Sequence, residues 1–265
     1  MSRAYSPPHL RSRDAPRAGA RVTWVLCCAT IAAQIAYPLV PAGSRAELSI
    51  VTVVLFFVAS VTHAAVQRGA FWAAGLVVVA AGVGLAAEAV GVATGVPFGR
   101  YAYGDDLGPK AFDVPVLVPM AWTMFAYPAL LVGRRLAGRM AVVAWPIGAL
   151  ALASWDVFLD PQMVAEGHWR WSDPTPALPG VPGIPLTNFA GWVAVALVII
   201  GLLHALLPPT RADDRVPATL FLWTYFSNVL ANAVFFDRPG VAVAGGIAMG
   251  LVAVPYAVSL WRERP

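Results

Sequence analysis

A chain of 265 residues with 59% hydrophobic side chains, 12% charged side chains and a mean hydropathy of +0.69 is not an ordinary soluble globule, whose apolar share lies near ~45–50%. Its net charge of +4 and pI near 9.4 would suit nucleic acid, but the arginines stand at the ends of apolar runs instead of clustering on one module, which argues against that partner. The composition is that of a polytopic membrane protein, and we read the fold as an all-α transmembrane helical bundle of about eight spans.

Residues 1–20 carry Arg3, Arg11, Arg13 and Arg17 among several prolines and read as a disordered basic tail. A signal peptide is the competing reading. The apolar run that follows extends for about 20 residues, beyond the 7–15 of a signal-peptide core, and is taken as an anchor. At about 20 residues per crossing the spans fall at 21–41, 47–66, 71–94, 114–133, 140–158, 188–207, 216–236 and 241–261, one transmembrane domain over 21–261. Cys27 and Cys28 are adjacent in the first span, with no partner at disulfide or zinc-ligand spacing. Alternating the connections puts 13 of the Lys and Arg on one side and 5 on the other, so the positive-inside rule predicts a cell-membrane protein with both termini cytoplasmic. Seven spans would break that alternation. The two long loops, 95–113 and 159–187, then face outward, and their Gly, Pro, Tyr and Trp content predicts ordered caps. The single lysine, Lys110, lies in the first of them, which excludes a retinal Schiff base inside a late helix.

Polar residues within apolar spans are costly and are functional candidates by default. Glu88 stands near the outer end of the third span. Asp156 and Asp160 are four apart, so both carboxyl groups lie on one helix face. Asn188 opens the sixth span, as a helix N-cap or a pocket residue. Asn228 and Asn232 share a face of the seventh, with Tyr225 before them and Asp237 at its outer end, although asparagines also glue helices. This topology puts Glu88, Asp156, Asp160, Asn188, Asn228, Asn232 and Asp237 at similar depth. His63 and His204 read as anchors at the inner interface. The loops place Arg100, Tyr101, Tyr103, His168, Trp169, Arg170 and Trp171 over the acidic level. No metal-ligand cluster, nucleotide loop or Ser–His pair accompanies these residues, so the expected chemistry is acid–base work on an apolar substrate without metal or cofactor. Protonating a trisubstituted alkene gives a tertiary carbocation that water can trap. Such a site needs a protonated carboxylic acid, a polar group to hold the water and aromatic faces for the cation.

The segments Glu88 to Gly95, Phe98-Gly-Arg-Tyr-Ala-Tyr-Gly, Val114-Pro, Ala121-Trp, Asp156 to Pro161, Gly167-His-Trp-Arg-Trp and Gly183-Ile-Pro-Leu-Thr-Asn-Phe-Ala-Gly-Trp192 resemble those of the carotenoid-biosynthesis membrane family, whose characterised members are carotenoid hydratases of the bisanhydrobacterioruberin hydratase type. The resemblance spans residues 20 to 260 and is specific within 88–122 and 155–192. It implies cofactor-independent addition of water to the terminal double bond of an acyclic carotenoid end group held in the bilayer. It also leaves room for contacts with other enzymes of the pathway. The resemblance does not identify the acid. Our assignment from the residues makes Asp156 the proton donor, with Glu88 sharing its proton or orienting water. Asp160, beside Pro161 and within reach of interfacial water, then supports them. The substrate contacts are assigned to Tyr101, Tyr103, Trp169, Trp171, Asn188, Trp192, Asn228 and Asn232. Two other readings stand beside this one. A membrane prenyltransferase or carotenoid elongase would use Asp156 and Asp160 as half of a magnesium–diphosphate site, and a proton-coupled lipid or pigment transporter would use Glu88 and Asp156 as a relay.

Overall fold

The computed structural model describes residues 17–138 and 140–262, so the basic tail expected over 1–20 lies largely outside the described residues. The chain runs through α1 (Arg17–Ala36), α2 (Arg45–Arg68), α3 (Ala70–Thr94), α4 (Leu117–Ala137), α5 (Ala141–Ala153), α6 (Asp156–Ala165), α7 (Leu186–Leu206), α8 (Arg215–Leu230) and α9 (Pro239–Arg262). Seven helical segments, with α5 and α6 taken together as Ala141–Ala165, are long and apolar enough to cross a bilayer. The protein is therefore an all-α, multi-pass membrane bundle.

The eighth segment, α4, differs for a physical reason. It carries Trp122, Thr123, Tyr127, Pro128, Arg134 and Arg135 and falls short of the others in apolar character. Yet every residue from 122 to 133 is buried, because α4 packs against α2, α3, α5, α7 and α8. A helix surrounded by protein need not present hydrocarbon to lipid on every side. At the rim the opposite holds, as on α9, where Val243, Ile247, Leu251 and Val254 repeat at helical spacing and are exposed.

Small residues let α4 and α5 touch backbone to backbone. A Cβ on Gly133 would come within 2.2 Å of the Ala144 carbonyl oxygen and 2.6 Å of the Gly148 nitrogen, and neither can swing aside. Gly133→Ala is therefore expected to destabilise the bundle by about 1–3 kcal/mol, the usual cost of overpacking. Gly82→Ala, with nothing within 4 Å of the added methyl, is the control. Equal melting temperatures for the two detergent-solubilised variants would contradict this account of the α4–α5 contact.

The expected fifth span, 140–158, needs correction. The helix breaks at Ser154–Trp155 and resumes as α6, which runs through Pro161 to Ala165, so much of the first part of the expected 159–187 loop is helical. The two remaining loops form a cap on one end of the bundle. Strand β1 (Tyr101–Tyr103) from the first pairs antiparallel with β4 (Trp169–Trp171) from the second, setting Tyr101 opposite Trp171 and Tyr103 opposite Trp169. Two further pairs, β2 (Lys110–Ala111) with β3 (Val114–Pro115) and β5 (Ala177–Leu178) with β6 (Val181–Pro185), fold each loop on itself. The turn between β5 and β6 rests on α9, where Gly180 and Gly240 meet so closely that a Cβ on Gly240 would lie 2.3 Å from the Gly180 carbonyl oxygen. At the far end His63 is a buried tie and not an interfacial anchor. Its Nδ1 pairs with the Tyr127 hydroxyl at 2.8 Å and its Nε2 with the Asp213 carbonyl at 2.9 Å.

Candidate active site

Beneath the cap, α6 carries Asp156 and Asp160 one turn apart on the face turned toward α7. Asn188, in the first turn of α7, donates its amide Nδ2 to Oδ2 of Asp156 at 2.8 Å and also to Oδ2 of Asp160. An amide nitrogen has two hydrogens, so one side chain can serve both acids. Asn188 does not cap its helix: Pro185 holds the N-cap position, and the Asn188 side chain reaches across to α6 instead. Trp169 of β4 donates its indole N–H to Oδ1 of Asp160 at 3.0 Å. Asp156, Asn188 and Asp160 are 0%, 1% and 2% exposed, so Asp160 is not the interface-facing acid its neighbouring proline suggested.

The third acid has a different environment. Glu88 of α3 accepts the Tyr101 hydroxyl at 2.5 Å and the Tyr103 hydroxyl at 2.8 Å on Oε2, and the Trp122 indole N–H at 3.1 Å on Oε1. Three groups able to donate converge on it, a setting that favours an ionised carboxylate. Burial, then the Glu88 charge, raises both phenols above the ordinary tyrosine range, so both remain protonated donors. The local sequence permits this approach. Gly91, one turn beyond Glu88, leaves the room into which Tyr101 reaches, and a Cβ there would lie 2.8 Å from the Tyr101 oxygen.

The β1–β4 ribbon joins the two acidic groups. Tyr103, bound to Glu88, packs edge-on against Trp169, bound to Asp160, with ring centroids 5.5 Å apart. Tyr101 and Trp171 sit 5.6 Å apart beside them. Deeper in the bundle Trp122 stacks on Trp192 at 3.9 Å, and Trp155 meets Trp192 edge-on at 6.2 Å.

A cavity of about 1310 Å³, its open mouth included, lies between these groups. Of the residues singled out from the sequence, Glu88, Tyr101, Tyr103, Asp160, Trp169, Trp171, Asn188, Trp192 and Asn228 line it. Asp156 and Asn232 do not line it. Asp156 sits behind Asp160, and Asn232 is buried in a π-helical turn, Ala231–Phe235, with its amide donating to the Asn228 carbonyl at 3.0 Å. Asn228 likewise donates to the Thr224 carbonyl, so the asparagine pair is held by its own helix. Asp237 is exposed in the turn before α9, outside the acidic level, and Arg100 and Arg170 point to the surface. His168 is buried in the cap and pairs with Asp106 at 2.5 Å.

Several lining residues escape sequence reasoning: Gln34, Tyr37, Ser49, Thr52, Trp122, Trp155, Gln162, Thr224 and Phe236. For Trp122 the available signal was its depth, level with Glu88 across two adjacent spans. For the hydroxyl and amide groups of α1 and α2 there was none, since single polar residues in apolar helices ordinarily bond their own backbone. Among the described residues no group of three or more His, Cys, Asp or Glu is placed to hold a metal ion.

The family model for carotenoid biosynthesis proteins matches residues 49–263. The chain belongs to that family. It is also 32% identical over 194 residues to the bisanhydrobacterioruberin hydratase of Haloarcula japonica, an alignment covering 67% of this chain and 59% of that protein. The chain thus spans less than two thirds of that relative's length. No solved structure matches. The capped cavity, lined by five tryptophans and by Glu88, Asp160 and Asn188 at its acidic wall, is where the helices bring polar side chains and apolar surface together.

Proposed function

We propose that this family member is a carotenoid hydratase, adding water to the terminal double bond of an acyclic carotenoid end group without a cofactor. The observation that carries the reading is that two acids face one aromatic cavity in opposite hydrogen-bonding settings. Asp160 accepts the Trp169 indole N–H and shares the Asn188 amide with a second acid, whereas Glu88 accepts three donors of its own. Two negative charges on adjacent turns, removed from water, repel strongly, and one proton held between Asp156 and Asp160 removes that repulsion. Glu88, satisfied by donors, stays an anion.

These states divide the work of hydration. Because Asp160 lines the cavity and Asp156 stands behind it, we assign delivery of the proton to Asp160, with Asp156 as the partner that shares it. The proton adds to the less substituted alkene carbon and leaves a cation on the tertiary carbon. The faces of Trp122, Trp155 and Trp192 and the charge of Glu88 stabilise that cation. Trp122 takes one position on Oε1 of Glu88, which leaves this oxygen able to accept from water. Water adds its oxygen to the tertiary carbon and passes its extra proton to Glu88, and exchange with solvent returns both carboxyl groups to their starting states. Carbon skeleton and oxidation balance are unchanged, so no electron acceptor is required.

Expression in a host that accumulates lycopene or a related acyclic carotenoid tests the reading directly. A mass gain of one water per modified end is expected. Gain of a prenyl unit would instead assign an elongase, and unchanged pigment with altered distribution a transporter.

We also propose that both termini are cytoplasmic and the cap faces outward. Ser172, exposed in the loop after β4, is a suitable reporter. With Cys27 and Cys28 replaced, Ser172→Cys is expected to react with an impermeant maleimide in intact cells, and reaction only after permeabilisation would invert the topology.

A further inference from the structure

The acidic groups occupy the cavity wall made by α3, α6, α7 and the cap. A second polar wall is made by α1, α2 and α8. Gln34, Tyr37, Ser49, Thr52 and Thr224 line the cavity there, and Gln34 Oε1, the Tyr37 hydroxyl, Ser49 Oγ, Thr52 Oγ1 and Thr224 Oγ1 are buried with no hydrogen-bond partner among the described residues. Tyr37, Ser49 and Thr224 are only 9%, 6% and 2% exposed. The Tyr37 hydroxyl sits beside Ser49 and Gln162 without closing a hydrogen bond to either.

These open valences are not the habit of the fold. A hydroxyl in a transmembrane helix usually returns to a carbonyl three or four residues back. Thr23, Thr30, Thr94 and Thr123 all do so, at 2.7 to 2.9 Å. Ser49, Thr52 and Thr224 do not, although the same bond is open to them. A buried polar atom with no partner is costly, and several facing one space call for a ligand that both donates and accepts. A buried water requires two to four polar partners, and this wall supplies them.

We propose that the Gln34, Tyr37, Ser49, Thr52 and Thr224 wall is a water site of the cavity. This rests on the hydratase reading for its purpose: the site holds the water whose oxygen joins the tertiary carbon and whose proton goes to Glu88. Gln34 and Tyr37 precede residue 49, where the family match begins, so part of this wall comes from a helix outside the matched region.

The test combines one variant with two readouts. Ser49→Ala, Thr52→Val and Thr224→Val together remove three hydroxyls with little change of shape and leave the three acids and their donors in place. Radiolytic hydroxyl labelling, which marks side chains next to bound water, is expected at Tyr37 and Met163 in the native protein and to fall at least fivefold in the triple variant. The variant is expected to hydrate both hydrocarbon and hydroxyl-bearing acyclic carotenoids at least tenfold more slowly, by the same factor, with co-purified pigment unchanged. Absence of labelling in the native protein overturns the water site. Loss confined to the hydroxyl-bearing substrate also overturns it, because the wall would then be reading a substrate alcohol. Labelling that is lost in the variant, in a protein that hydrates nothing, upholds the water site and removes the hydratase reading instead.

Discussion

Asp160→Asn is expected to lower hydration about 10²–10⁴-fold, the usual contribution of a positioned general acid, while the protein still inserts and retains pigment. The substitution keeps the size of the side chain and can keep an acceptor toward the Trp169 indole, but it removes the transferable proton from the cavity. Asp156→Asn acts from behind. It takes away the second acid of the pair and leaves two amides, at 156 and 188, to reorganise around Asp160. A loss nearer tenfold is expected there, comparable to one hydrogen bond of about 1.4 kcal/mol. Pigment masses from membranes carrying equal amounts of each variant measure both. Near-normal product from Asp160→Asn together with complete loss from Asp156→Asn would return the donor role to Asp156, the assignment drawn from sequence alone.

The second large effect concerns Glu88. In Glu88→Gln the carboxamide nitrogen becomes a donor in a pocket whose Tyr101, Tyr103 and Trp122 neighbours already donate, so the substitution loses the charge opposite the cation and sets donor against donor. A loss of about 10²–10³-fold is expected, in line with removal of a preorganised electrostatic contact. Tyr103→Phe removes one donor from the same oxygen and is expected to cost about tenfold, since bonds to charged groups are worth about 1.5–3 kcal/mol and Tyr101 remains. Glu88→Gln with full activity would leave the cation without its proposed counter-charge and the water without its base, and that half of the mechanism would fall.

Much of this arrangement is legible along the chain because membrane burial is a severe filter. A carboxyl group inside a 20-residue apolar run must be paired or used, so Glu88, Asp156 and Asp160 stand out without knowledge of the fold. The four-residue spacing on α6 and the aromatic alternation in Tyr101-Ala-Tyr103 and Trp169-Arg-Trp171 carry their geometry with them, since residues two apart share one face of a strand. What the sequence does not carry is pairing between distant elements. Nothing local says that β1 meets β4, that Asn188 turns away from its own helix end, or that Asn228 and Asn232 spend their amides on backbone. Bounds were misread where a turn intervenes: Asp237 belongs to the exposed connection before α9, and after the break at Ser154–Trp155 the chain resumes as α6 and stays helical to Ala165 instead of ending at 158. His63 failed for the same cause, because a histidine at a helix end reads as interfacial until its partners on α4 and in the 207–214 connection are known.

The tryptophans around the cavity give the protein an optical property as well as a chemical one. Five of the ten, Trp122, Trp155, Trp169, Trp171 and Trp192, line the space in which a polyene would lie. On the proposed function, an extended polyene would stand in contact with these indoles and quench their emission. The native emission of the apoprotein should therefore dim as pigment enters, reporting occupancy in real time whether or not any bond is made.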